Sequence, residues 1–121
     1  MTRIMLKSKI YYATITDAQL YYKGSIAIDE DLMKASDILE GEKVEVLNLN
    51  NGARLKTYVI KGAAASGVMC LNGPAARMGY KGDKIIVLSY GMYNKDELKS
   101  LKPKFVEVDG KNKVRNTVLG E

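Results

Sequence analysis

The sequence predicts a mainly β domain, a small barrel of six or seven short strands decorated by two or three short helices. Three observations carry that expectation. β-Branched and aromatic residues gather in short runs, as at residues 10–16 and 54–60, a composition that suits a pleated, half-buried surface. Turn signals separate the runs, the clearest being Asn50-Asn51-Gly52. Helical periodicity is confined to two short stretches.

Taken in order, residues 10–16 form the first expected strand. A break at Asp17-Ala18-Gln19 precedes a second extended piece, Leu20-Tyr21-Tyr22, which Ile26-Ala27-Ile28 continues beyond Gly24-Ser25. Asp29 can cap a helix whose Leu32, Ala35 and Leu39 share one face. Val44 and Val46 alternate with charged residues in a third strand, and the Asn-Gly turn leads into a fourth at residues 54–60. Residues 67–71 read as a fifth strand. The unbroken Ile85-Ile86-Val87-Leu88 reads as a strand buried on both faces. Asn94 followed by Glu97 resembles a capping box for a second helix that stops before Pro103. Phe105, Val106 and Val108 make the last strand, turning at Asp109-Gly110. Periodicity does not give the order of the strands in the sheet.

A chain of 121 residues suits one domain with a modest core. With 46% hydrophobic and 27% charged residues, it has the balance of a soluble globular protein. The apolar runs are too short to cross a bilayer, and the first residues lack a sustained apolar stretch followed by a small-residue cleavage site. A cytoplasmic protein with no membrane partner is expected. Cys70 is the only cysteine, so no internal disulfide can form; within Val68-Met69-Cys70-Leu71 it suggests a small buried hydrophobe. Histidine is absent, which excludes Ser-His and Cys-His catalysis and leads to the expectation of no metal site. Chemistry must come from hydroxyls, phenols, Lys, Arg, carboxylates or a group made after translation. The net charge of +5 is spread from Arg3 to Arg115 without a dense block, so a solvated surface is expected rather than a nucleic-acid footprint.

Gly24-Ser25 is the one Gly-Ser dipeptide in the chain. Alone it is an ordinary turn pair, yet it sits inside strand-like sequence. Together with Lys9-Ile10, the run from Tyr22 to Asp29, Asn51-Gly52-Ala53-Arg54, Thr57-Tyr58 and Asn72-Gly73-Pro74-Ala75-Ala76-Arg77, it resembles the pyruvoyl-dependent, self-processing aspartate 1-decarboxylase family. The segments agree in order and spacing from about Met5 to Pro103. Each is weak alone, and the set is specific.

The resemblance implies a double-psi β-barrel, a homotetramer with active sites between subunits, and β-alanine production from L-aspartate for pantothenate synthesis. It implies self-cleavage of the single domain 1–121 into residues 1–24 and 25–121, with Ser25 becoming a pyruvoyl cofactor. Ser25 Oγ would attack the Gly24 carbonyl to give an ester, assisted by Thr57, with Tyr22 also at the processing site. Elimination and hydrolysis would leave a ketone able to form a Schiff base with the substrate amine, the electron-sink role that pyridoxal phosphate plays elsewhere. Tyr58 would return a proton to carbon. Lys9 and Arg54 suit the two substrate carboxylates, with Thr57, Asn72 and the backbone of Gly73, Pro74 and Ala75 completing the pocket. Whether a maturation factor assists is left open. Tyr11 stands where the family usually has histidine, and Pro74 replaces a usual alanine, so that position offers no N–H.

Read singly, these residues are ordinary: Tyr58 a half-buried strand residue, Arg54 a solvated charge after a turn. On a straight strand Arg54 and Tyr58 face one side and Thr57 the other, with Arg54 and Tyr58 about 13 Å apart. A bulge, a strong twist or a site shared between subunits would bring them to one ketone; the shared site is favoured. Two other functions compete: a non-catalytic basic barrel that binds nucleic acid or protein, and a decarboxylase acting on a related acidic amino acid such as glutamate.

Overall fold

Pairing between β-branched runs builds the fold. The computed structural model describes residues 1–120. It contains strands β1 (Arg3–Thr14), β2 (Asp17–Gln19), β3 (Ser25–Asp29), β4 (Lys43–Asn48), β5 (Arg54–Gly62), β6 (Met69–Asn72), β7 (Lys84–Tyr93), β8 (Lys104–Val108) and β9 (Val114–Leu119). Helices α1 (Glu30–Ser36) and α2 (Lys95–Leu98) and a 3-10 helix at Gly73–Arg77 complete it. The strand order is β2-β6-β3-β5-β4-β7-β1-β8-β9. β1 and β2 are separated only by Ile15 and Thr16, whose amides donate to the carbonyls of Asp83 and Met69. The run from β2 to β1 therefore begins and ends on one stretch of chain, and the sheet curls back on itself. Ile10, Ile26, Ile28, Val46, Val59 and Ile85, all fully buried, meet on its inner side. The architecture is mainly β and barrel-like, as expected.

The local signals hold where the chemistry is local. Gly52, at φ +75, turns β4 into β5. Asp29 caps α1 by accepting from the Asp31 amide, and Asn94 with Glu97 forms a complete capping box at α2. Other elements differ from expectation. The break near residue 17 falls at Ile15 and Thr16, because there the chain leaves β7 for β6. α1 ends at Ser36 in a left-handed Asp37 (φ 56), and the Ile38 amide donates back to the Met33 carbonyl. That reversal buries Ile38 and leaves Leu39 exposed, so Leu39 does not share the face of Leu32. β9 is exposed at every residue and carries no buried-face alternation by which the sequence could reveal it.

Candidate active site

Gly24-Ser25 lies where the chain crosses the end of β6. β2 pairs with one edge of β6 so that Gln19 stands opposite Asn72, and β3 pairs with the other edge so that Ser25 stands opposite the same Asn72. Residues 20–24 must carry the chain from edge to edge, and they do so as a bend. This corrects the extended piece expected at Leu20-Tyr21-Tyr22: the backbone has left the edge of β6, and Tyr21 stands 97% exposed.

The crossing is tight, and Gly73 lies beneath it. Gly73 has φ +66, and a Cβ there would stand 2.7 Å from the Tyr22 carbonyl oxygen and 2.9 Å from both N and Cα of Gly24. Only glycine fits that position. Gly24 does not take a left-handed conformation, and a Cβ on it would meet Pro74 Cδ at an ordinary 3.8 Å. The glycine demanded by space at this junction is Gly73.

Ser25 opens β3 and is 1% exposed. Asn72 Nδ2 donates to Ser25 Oγ at 3.0 Å, and Cys70 Sγ donates to Asn72 Oδ1 at 3.3 Å. Burial, reinforced by the charge of Asp17, holds the Cys70 thiol above its ordinary pKa, so it stays protonated. On the opposite flank, β3 runs parallel to β5 with Ile26 beside Val59. Thr57 and Tyr58 directly precede Val59 on β5, and Ser25 directly precedes Ile26 on β3.

A cavity of about 480 Å³ opens against this junction, lined by Gly24, Leu55, Lys56, Thr57, Tyr58, Asn72, Pro74, Ala75 and Met78. Thr57, Tyr58, Asn72, Pro74 and Ala75 thus line one cavity with Gly24. Tyr22 contributes its carbonyl to the crossing, while its side chain is half-exposed. Arg54 lies outside the lining and pairs with Glu45 at 3.3 Å on the surface. Lys9 lies in a separate hollow with Tyr11, Tyr12, Phe105, Val118 and Gly120, its Nζ 5.6 Å from the Tyr11 ring centroid. The two hollows share no residue, so one chain does not bring Lys9 to Ser25.

Leu55, Lys56, Met78 and Cys70 are not among the site residues the sequence suggests. Lys56 and Met78 carry no local signal. Cys70 does carry one, because it precedes Asn72 by two residues and so shares its face of β6. Among the described residues no cluster of three or more His, Cys, Asp or Glu is disposed to hold a metal ion.

Comparison with known proteins identifies the family. Residues 1–115 match the family described as aspartate decarboxylase. A protein of Acetivibrio thermocellus named aspartate 1-decarboxylase is 57% identical over 112 residues, covering 93% of this chain and 89% of that one. Proteins with the same name from Pelotomaculum thermopropionicum and Moorella thermoacetica are 55% and 51% identical, covering 97% and 100% of this chain and 89% and 94% of theirs. With the match spanning nearly every described residue, the chain belongs to the aspartate decarboxylase family.

Proposed function

We propose that the chain is an aspartate 1-decarboxylase that converts L-aspartate to β-alanine and carbon dioxide, using a pyruvoyl group it makes by cutting itself between Gly24 and Ser25. One observation carries this reading. The Ser25 hydroxyl is buried, held by Asn72 and set between the Thr57-Tyr58 strand and the Gly73 crossing. A serine on an ordinary surface turn needs none of these.

The processing chemistry balances within the chain. Ser25 Oγ attacks the Gly24 carbonyl carbon, the C–N bond breaks, and the freed amine takes the hydroxyl proton. Asn72 Nδ2, a donor at Oγ, holds the hydroxyl in place and favours its ionised form, while the oxyanion of the step develops on the Gly24 carbonyl oxygen. The Thr57 hydroxyl, on a residue that lines the cavity with Gly24, is the group assigned to the carbonyl side. Loss of the α-proton of residue 25 expels the chain ending at Gly24 as a carboxylate, and water then releases ammonia from the dehydrated residue. The fit of Ser25 to this role rests on its burial and its single side-chain donor.

Once formed, the pyruvoyl group supplies a ketone conjugated with an amide, the electron sink that decarboxylation of an amino acid needs. The chain's own residues bind, orient and protonate. Tyr58, on the cavity wall, is the proton donor to carbon; a phenol suits that task where histidine is absent. Arg54 releases Glu45 to take a substrate carboxylate in a bidentate fork. Lys9 serves as the second cation, and its separation from the cavity within one chain supports a site shared between copies, as in a homotetramer. β-Alanine made this way would feed pantothenate and coenzyme A synthesis in the cytoplasm.

Intact-mass spectrometry of the purified protein tests the reading. Two species are expected, residues 1–24 and 25–121, the larger blocked at its N-terminus, with neither present in Ser25→Ala. A single full-length species that still releases carbon dioxide from aspartate would overturn the cofactor assignment.

A further inference from the structure

We propose that Cys70 is a positioning residue for self-processing, whose thiol pins the Asn72 carboxamide so that its NH2 end faces the Ser25 hydroxyl. The inference rests on the processing reading above and adds a residue to it.

The two ends of a carboxamide are nearly isosteric, and what lies around them decides which way they point. Here the two ends face different partners. Ser25 Oγ lies 3.0 Å from Asn72 Nδ2, and Cys70 Sγ lies 3.3 Å from Asn72 Oδ1. Ser25 can donate or accept, so it does not choose the orientation. A protonated thiol has a hydrogen to give and is only a weak acceptor, so it favours the carbonyl end. Its other acceptor, the Leu71 carbonyl, is at 3.9 Å, and the Asn72 oxygen is the nearer. Burial keeps the thiol protonated, so the donor persists across the neutral range.

Orientation matters to the chemistry. With NH2 toward Oγ, Asn72 favours the ionised oxygen that attacks and leaves the hydroxyl proton free to pass to the departing amine. Turned the other way, Oδ1 would face an ionised Oγ with its own lone pairs and hold the hydroxyl proton away from the amine that must receive it, which slows cleavage. Cys70 is well placed to decide this. β6 is paired on both edges, with Cys70 beside Asp17 and Ala27 and Asn72 beside Gln19 and Ser25. The strand therefore cannot slide to change the contact.

The test follows appearance of residues 25–121 by intact mass in freshly purified wild type, Cys70→Ala, Cys70→Ser, Asn72→Ala and the Cys70→Ala/Asn72→Ala double variant, with thermal melting as a folding control. Loss of one such hydrogen bond slows cleavage roughly fivefold to tenfold in Cys70→Ala. Cys70→Ser, which keeps a donor of similar size, restores the rate, and the double variant is no slower than Asn72→Ala. Wild-type cleavage rates in a folded Cys70→Ala, or a Cys70→Ser as slow as Cys70→Ala, overturn the positioning role. If Cys70→Ala does not fold, the Cys70→Ser rate decides: a slow Cys70→Ser refutes the proposal and a wild-type rate supports it. Absence of cleavage in the wild type is a separate result, since it defeats the processing reading itself.

Discussion

Gly73→Ala is the sharpest perturbation the structure offers. The new Cβ would stand 2.7 Å from the Tyr22 carbonyl oxygen and 2.9 Å from two backbone atoms of Gly24. No flexible side chain can swing aside, so relief requires moving the chain at the proposed scissile junction. Holding a residue with a Cβ at φ +66 costs about 1–2 kcal/mol. Forcing a methyl into a packed site adds about 1–3 kcal/mol. The sum, about 2–5 kcal/mol, is a large share of the roughly 5–15 kcal/mol that holds a domain together. At the lower bound, melting falls by about 5–10 °C. If 2 kcal/mol of that displacement reaches the cleavage barrier, processing slows about thirtyfold. Circular dichroism measures the first effect and time-resolved intact mass the second. A Gly73→Ala protein that melts within a degree or two of wild type and cleaves at the same rate would falsify the tight crossing.

Tyr58→Phe is expected to cleave normally yet release carbon dioxide at least about a hundredfold more slowly, the usual scale for losing a general acid; full turnover in a carbon dioxide assay rejects the proton-donor role. Asp29 is buried and accepts from the amides of Asp31, Ala65 and Gly67, so Asp29→Ala should lose about 2–4 kcal/mol in urea unfolding. A loss below about 0.5 kcal/mol would show those donors finding other partners without penalty. The amides of Lys113 and Lys111 hold the Asp109 carboxyl below its usual pKa, and the Asn48 amide and the Tyr80 N–H do the same for Asp83. Because these values are depressed in the folded state, their stabilisation is present above the ordinary carboxylate range and fades as pH falls through the folded values. Tm should therefore decline below about pH 4, and less steeply in Asp109→Asn; identical slopes would remove Asp109 as a contributor.

Several elements were legible because their causes are local. The Asn-Gly turn, the Asp29 cap and the Asn94–Glu97 box each depend on residues a few positions apart, and each stands where the sequence signals it. The reach of the bend back over Leu20-Tyr21-Tyr22 was not legible, because Tyr21-Tyr22 has strand-forming residues and only the position of β6 forbids a strand there. The 3-10 helix at Gly73–Arg77 carries one signal, Pro74 near its start, that went unread. The cavity was legible in Gly24, Thr57, Tyr58, Asn72, Pro74 and Ala75 through resemblance alone. Cys70 was read as a buried hydrophobe, and buried it is; its contact with Asn72 also makes it a polar partner.

The sequence by itself determined the mainly β class, the hairpin and caps, the absence of histidine chemistry and, through matched segments, the family. Only the tertiary structure decided that Ser25 stands opposite Asn72, that β3 lies beside β5 and that Gly73 lies under the junction. The physical reason is that a strand's neighbours across a curled sheet are chosen by chain crossings far apart in sequence, whereas turns and caps are chosen by the residues that form them.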